Sequence, residues 1–238
     1  MIKHVKIFLS ISFVVGFIFV GWNLFGKNEN RIQETEDIIK VACVGDSITF
    51  RHGFEDEPEN NYPFVLSALL GEKYEVVNFG ESGTCVQIDG DCAYVDQEVY
   101  QSGLEYEADV LIFMIGTNDS KEWNWKDGET FRRAYETLLD SYLGETCVPT
   151  VYIGISPKAF YVKGETSGAA GFGIQPEIVE QIVAIQREVA KERGYEMIDI
   201  YALSDKYPEY FAEDGIHPTK EGAEIIAKVV VEAILNEK

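Results

Sequence analysis

Apolar residues in this chain fall into short continuous runs, separated by longer stretches with helical spacing. Residues 38–45, 74–79, 109–115, 148–155 and 195–200 each read as a strand. The unbroken run from Val110 to Ile115 is what a strand covered on both faces requires. Residues 62–70 place Tyr62, Val65, Leu66, Leu69 and Leu70 at helical positions, with Pro63 suited to a first turn and Gly71 to a stop. Residues 130–143 form an amphipathic helix. Residues 176–193 form another, with Ile178, Ile182, Ile185 and Val189 on one face and Gly194 at its end. Residues 219–235 form the closing helix. Residues 81–103 read as a long loop with a helical piece near 95–101, residues 158–173 as a Gly-rich connection and residues 205–214 as irregular. Strands alternating with helices predict an α/β sandwich built on a mainly parallel sheet.

The first residues do not belong to this pattern. Residues 1–6 are short and basic, and residues 7–25 are apolar apart from Ser10, Ser12, Gly16, Gly21 and Asn23. This is a signal-type segment with its positive end inside. Its length is close to what spans a bilayer, and no small-x-small cleavage site follows it. The expectation for 1–27 is an uncleaved anchor that leaves the domain outside the cytoplasm; cleavage and secretion is the alternative. Residues 28–37 read as a polar linker and 38–238 as one domain.

The formal charge of the 238 residues is −21. Residues 1–27 hold Lys3, Lys6 and Lys27 and no acid, so the acidity lies wholly in the rest. Such a surface repels phosphate backbones, which excludes nucleic acid as a partner. Hydrophobic residues make up 46% of the chain, enough for a sizeable core. The four cysteines, Cys43, Cys85, Cys92 and Cys147, fit no zinc spacing. Cys85 and Cys92 bracket the turn Asp89-Gly90-Asp91, and a disulfide closing that loop is expected in an oxidising compartment. Cys43 reads as a small buried hydrophobe, and Cys147 has no assigned role.

In parallel sheets, reactive residues gather beyond the carboxyl ends of the strands. Three predicted strands end in Gly45-Asp46-Ser47, Asn78-Phe79-Gly80 and Gly116-Thr117-Asn118. A serine becomes a nucleophile only when a neighbouring base takes its proton. Beyond the leader the histidines are His52, which could line a pocket rim, and His217. His217 follows Asp214 by three residues, a spacing that lets a bent loop set the carboxylate against the imidazole. Ser47, Asp214 and His217 therefore read as catalytic. The Ser47 N–H, Gly80 N–H and Asn118 amide read as the oxyanion donors. Two histidines form no ligand motif, so no metal or cofactor is expected.

Gly45-Asp46-Ser47-Ile48, Asn78-Phe79-Gly80, Gly116-Thr117-Asn118-Asp119 and Asp214-Gly215-Ile216-His217-Pro218 occur in the order of the blocks of the SGNH, or GDSL, hydrolase family, which the chain resembles. Ile48 stands where the family's nickname has leucine. The resemblance implies a flavodoxin-like three-layer α/β/α sandwich with a five-stranded parallel sheet, and a serine esterase with the triad and donors just named. A finer resemblance, carried by residues 116–121 with Trp123 and Trp125, is to the carbohydrate O-acetylesterase branch. It implies acetyl esters of a glycan as substrate. Trp123 and Trp125 follow the Asn118 turn, a position from which they can stack on a sugar ring at a pocket mouth; the alternative is that one of them is a buried anchor for the loop. The alternatives are a lysophospholipase or thioesterase, a glycan O-acyltransferase, and a non-catalytic glycan-binding module. Membrane contact is expected through the N-terminal segment only.

Overall fold

The computed structural model describes residues 37–50, 60–144, 148–161, 171–211 and 214–236. The expected leader 1–27, most of the linker 28–37, His52 and Cys147 lie outside the described residues. Among the described residues no helix is long and apolar enough to cross a membrane.

Five strands, β1 (Ile39–Gly45), β2 (Tyr74–Gly80), β3 (Val110–Met114), β4 (Thr150–Ile155) and β5 (Glu196–Asp199), form one sheet. Its order is β2-β1-β3-β4-β5, and every pairing is parallel. This is a three-layer α/β fold with the flavodoxin-like strand order. All five residues of β3 are buried, which explains its unbroken apolar run. The edge strands β2 and β5 leave Glu75, Glu196 and Met197 exposed.

The helices are α1 (Ser47–Phe50), α2 (Tyr62–Leu70), α3 (Glu98–Glu105), α4 (Gly128–Ser141), α5 (Pro176–Arg193), α6 (Ile200–Lys206) and α7 (Lys220–Leu235). α2 packs with α7, and α4 with α5. Side chains start most of them. Asn61 caps α2 by accepting from the Phe64 N–H at 2.7 Å, and Asp127 caps α4 through Thr130. Gly194 ends α5 in the left-handed conformation, with φ 70°.

Two segments depart from the sequence reading. The helical piece expected near 95–101 is a short 3-10 turn, Tyr94–Asp96, followed by α3, which runs past the predicted loop to Glu105. The last strand stops at Asp199, not 200, because the Asp199 carboxylate accepts from the Ala202 N–H and starts α6. α6 lies partly in the stretch read as irregular, and its seven residues are too few to display a helical period.

The sheet order reverses between β1 and β3. β1 goes to β2 on one side, and the chain returns to β3 on the other. Gly45, Gly80 and Met114 are level in register, so three loops leave the sheet at one height beside this switch point. The level packing is tight. A Cβ on Gly45 would lie 2.4 Å from the Met114 carbonyl oxygen, and one on Gly80 would lie 2.4 Å from the Phe50 nitrogen.

Gln186, fully buried on α5, ties the ends of β3 and β4 together. Its amide donates to the Ile115 carbonyl at 3.0 Å and to Ser156 Oγ at 2.9 Å, and its oxygen accepts from the Ser156 N–H at 3.0 Å. Replacing it with leucine keeps the volume and strands these groups. Gln186→Leu should therefore lower stability by about 1–3 kcal/mol for each buried group left unpaired. A urea midpoint equal to that of the parent chain would contradict this bridging role.

Candidate active site

β1 ends at Gly45, and Asp46 turns the chain. The Asp46 carbonyl accepts from the Thr49 and Phe50 N–H groups, and its Oδ1 accepts from the Ile48 N–H at 3.0 Å. This capping makes Ser47 the first residue of α1 and leaves its N–H without a partner among the described residues. Asp46 is buried. Burial raises its carboxyl above the ordinary range, against the lowering effects of the Ile48 N–H and the His217 charge.

His217 arrives from the other end of the chain. Gly215, with φ +89°, lets the loop double back. Asp214 Oδ1 accepts from the Ile216 and His217 N–H groups at 2.9 and 2.8 Å. Its Oδ2 lies 2.5 Å from His217 Nδ1, and His217 Nε2 lies 2.9 Å from Ser47 Oγ. A proton on Nδ1, facing the carboxylate, leaves the Nε2 lone pair for the serine hydroxyl. Burial acts to raise the Asp214 carboxyl. The hydrogen bond from His217, the imidazole charge and the two N–H groups outweigh burial and hold it below its usual range. The Phe172 ring packs edge-on against the imidazole, with centroids 5.5 Å apart.

Asn118 stands in a tight turn after β3, where Gly116 has φ +137°. Its Nδ2 donates to the Thr84 carbonyl at 3.0 Å, which fixes the amide while its second N–H has no partner among the described residues. Asp119 points the other way, into the interior. It accepts from the Val86 and Gln87 N–H groups at 3.1 and 3.3 Å. The two adjacent side chains thus stitch the β3 turn to the strip 84–87.

Ser47, Gly83, Asn118, Lys121, Phe172 and His217 line a cavity of about 150 Å³, together with Ser82, Thr117, Ile174 and Ile216. A larger apolar hollow of about 420 Å³, walled by Val86, Ile88, Tyr100 and Leu138, contains none of these polar groups. Volume favours the larger space. Convergent polar chemistry marks the smaller one as the site.

Gly80 is not in the cavity wall. Its N–H donates to Asn78 Oδ1 at 2.8 Å, and its missing side chain makes room for α1. The glycine that lines the cavity is Gly83. It has φ +83°, nothing within 4 Å of its Cβ position, and an N–H without a partner among the described residues. The sequence offered both glycines in Gly80-Glu81-Ser82-Gly83. What separates them is that the Asn78 side chain takes the first N–H at the end of β2, whereas the second glycine sits where the chain has left the sheet.

Other expected residues divide similarly. Trp123 is 58% exposed, and a Cβ on Gly173 would meet its ring at 2.4 Å, so it stands beside the cavity mouth. Trp125 packs on Phe131, with centroids 6.2 Å apart, and anchors the loop from within. Cys85 and Cys92 are free thiols, which corrects the expected disulfide. The Cys85 thiol turns inward to the Gln87 and Cys92 carbonyls, whereas Cys92 Sγ accepts from Gln97, so the two sulfurs face different partners. Burial pushes the Cys85 thiol up to about 12. Cys43 is buried mid-strand, in keeping with its reading as a small hydrophobe. Lys121, the last residue of the stretch 116–121 and given no role of its own from the sequence, is buried in the cavity wall.

The model of the GDSL-like lipase/acylhydrolase family matches residues 43–225. The chain belongs to that family. An acetylxylan esterase of Xylanibacter ruminicola is 32% identical to this GDSL-like chain over 209 residues, covering 84% of it. The chain spans 44% of that relative's length. A lipase/acylhydrolase from Enterococcus faecalis superposes with a TM-score of 0.65 at 23% identity, over 83% of this chain and 95% of the other. A carbohydrate acetylesterase from Sinorhizobium meliloti gives 0.63 at 18% identity, over 83% and 98%. These two structures share the GDSL-like fold.

Burial pushes the Asp119 carboxyl up to about 7, against the lowering effect of the Val86 and Gln87 N–H groups. The folded protein therefore holds this proton over a pH range in which the unfolded chain, with an ordinary carboxyl near 4, has released it. The associated stability is present in full below about pH 4 and is lost as pH rises through 7. The difference in unfolding free energy between the parent and Asp119→Asn should fall across that window and level off above it. A difference that stays constant from pH 4 to 8 would contradict the assignment.

Proposed function

We propose that this chain is a serine esterase that removes short acyl groups, acetyl above all, from a carbohydrate through an acyl-enzyme. The observation that carries the reading is the connected row Asp214–His217–Ser47, closed by contacts of 2.5 and 2.9 Å at the edge of a cavity of about 150 Å³. Ser47 Oγ attacks the ester carbonyl as its proton passes to His217 Nε2. Asp214 keeps the imidazole oriented and offsets its new charge. His217 then hands the proton to the departing alcohol, and water repeats the cycle on the acyl-serine.

The negative oxygen of the tetrahedral intermediate needs donors fixed in advance. The Ser47 N–H, the Gly83 N–H and the second Asn118 N–H suit this role, with Gly83 in the place first assigned to Gly80. The Thr84 carbonyl holds the Asn118 amide, so little reorientation accompanies the reaction.

Two observations favour a small acyl group on a sugar. Phe172, Ile174 and Ile216 line a cavity of about 150 Å³, a size that suits an acetyl group. Trp123 offers an exposed indole beside its mouth, the kind of surface on which a sugar ring stacks. The names of the acetylxylan esterase relative and of the Sinorhizobium carbohydrate acetylesterase support the same direction.

Ser47→Ala should abolish hydrolysis of nitrophenyl acetate by the full chain. Retention of most of the rate would sink the mechanism. Asn118→Ala should lower kcat by roughly 10²–10³-fold, as the loss of one oxyanion donor does. An unchanged kcat would leave Asn118 with only its bond to Thr84.

A further inference from the structure

Lys121 is placed where no motif of the chain required a cation. Its side chain is only 11% exposed and lines the cavity beside Gly83 and Asn118. An ammonium carries three N–H donors. One goes to Asp91 Oδ2 at 3.0 Å and one to the Gly83 carbonyl at 3.4 Å. The third has no partner among the described residues.

Asp91 fixes more than this lysine. The same Oδ2 accepts from Trp123 Nε1 at 2.7 Å, and Oδ1 accepts from Asn124 Nδ2 at 2.7 Å. The ammonium lies 5.9 Å from the Trp123 ring centroid. One carboxylate therefore sets both a flat apolar platform and a charged donor at the edge of the cavity.

We propose that the Lys121 ammonium binds a free hydroxyl on the sugar carbon next to the acetylated one, and that Lys121 is thereby a specificity-determining residue. The inference rests on the carbohydrate esterase reading above. Three features choose this ligand. The Gly83 N–H faces the ester oxygen in that reading, and Lys121 bonds the carbonyl of the same residue and lines the same cavity, so its ammonium stands beside the acyl site, within reach of a neighbouring substituent of the sugar. Asp91 neutralises the ammonium, which suits a neutral oxygen over a carboxylate; the chain's charge of −21 repels acidic glycans as well. A substrate without that hydroxyl leaves a buried charged donor unpaired, and a site built to bond a hydroxyl rejects such analogues strongly.

The test compares two monoacetates of methyl xyloside, one with a free hydroxyl beside the acetyl group and one deoxy at that carbon. The parent chain and Lys121→Met are each assayed on both, and on nitrophenyl acetate. The parent should favour the hydroxyl-bearing sugar about 10- to 100-fold in kcat/KM, the worth of a hydrogen bond to a charged group. In Lys121→Met that preference should shrink to within about threefold, the residue of ordinary non-additivity. Equal rates of the parent on the two sugars, or an undiminished preference in the variant, would overturn the proposal. So would a variant inactive even on nitrophenyl acetate, since Lys121 would then serve the chemistry itself. A parent that cleaves no ester at all would remove the esterase reading, and this one with it. A parent that cleaves nitrophenyl acetate without discriminating between the sugars would remove only this one.

Discussion

Ser47 and His217 are 170 residues apart in sequence, and their side chains are 2.9 Å apart in space. That contact depends on strand ends that are level. Gly45 pairs with Gly80 on one side and Met114 on the other, and the Glu81 N–H reaches across to the Gly45 carbonyl at 3.0 Å. Any side chain at Gly45 would drive β3 away, because its Cβ would sit 2.4 Å from the Met114 carbonyl oxygen. A displacement there moves the turn that carries Asn118 relative to the turn that carries Ser47. An ångström is enough to spoil an arrangement of this kind. The two glycines thus position the proposed site through packing.

Above the sheet, carboxylates do the holding, two of them buried and one partly so. Asp119 gathers the Val86 and Gln87 N–H groups, Asp214 those of Ile216 and His217, and Asp46 that of Ile48. Each straightens a loop that would otherwise leave backbone donors unpaired away from water. They differ in what they cost. Asp214 faces an imidazole and keeps its charge easily, whereas burial raises Asp119 and Asp46. The proposed site is thus rigid because the surrounding loops are tied to groups held in place by the sheet, and part of the protein's stability is given up for that order.

The sheet was legible because parallel strands bury both faces and leave long apolar runs, of which β3 is the plainest. Ser47, Asp214 and His217 were legible because the reactive side chains and their order are written in the sequence, and the fold then brings them together. What was not legible depends on backbone direction. Gly80 and Gly83 look alike as letters, but one N–H is spent on Asn78 and the other has no partner among the described residues. Cys85 and Cys92 are close along the backbone, joined by the Cys85 N–H to Cys92 carbonyl bond of 2.9 Å, yet their sulfurs point to different neighbours. Trp123 and Trp125 are two residues apart; Asp91 draws one outward and Phe131 takes the other inward. α6 was missed because a single capping side chain, Asp199, starts it.

Charge gives the site a direction. The chain carries −21 overall, yet a buried lysine lies in the cavity wall, paired with Asp91. A buried pair of this sort gives little net stability, since desolvation offsets most of its attraction. Its presence is better explained by geometry, because the same carboxylate anchors Trp123 and Asn124. The acidic surface acts over about 8–10 Å at physiological salt, a distance comparable to the depth of a shallow cavity. A neutral glycan ester approaches such a surface without penalty. The carboxylate released by its hydrolysis carries a negative charge and is driven out. The proposed reaction turns a ligand the protein's field ignores into one that it expels. On that proposal, product release would be favoured by the composition of the chain as a whole, while the choice of ester would be left to the few side chains around Ser47.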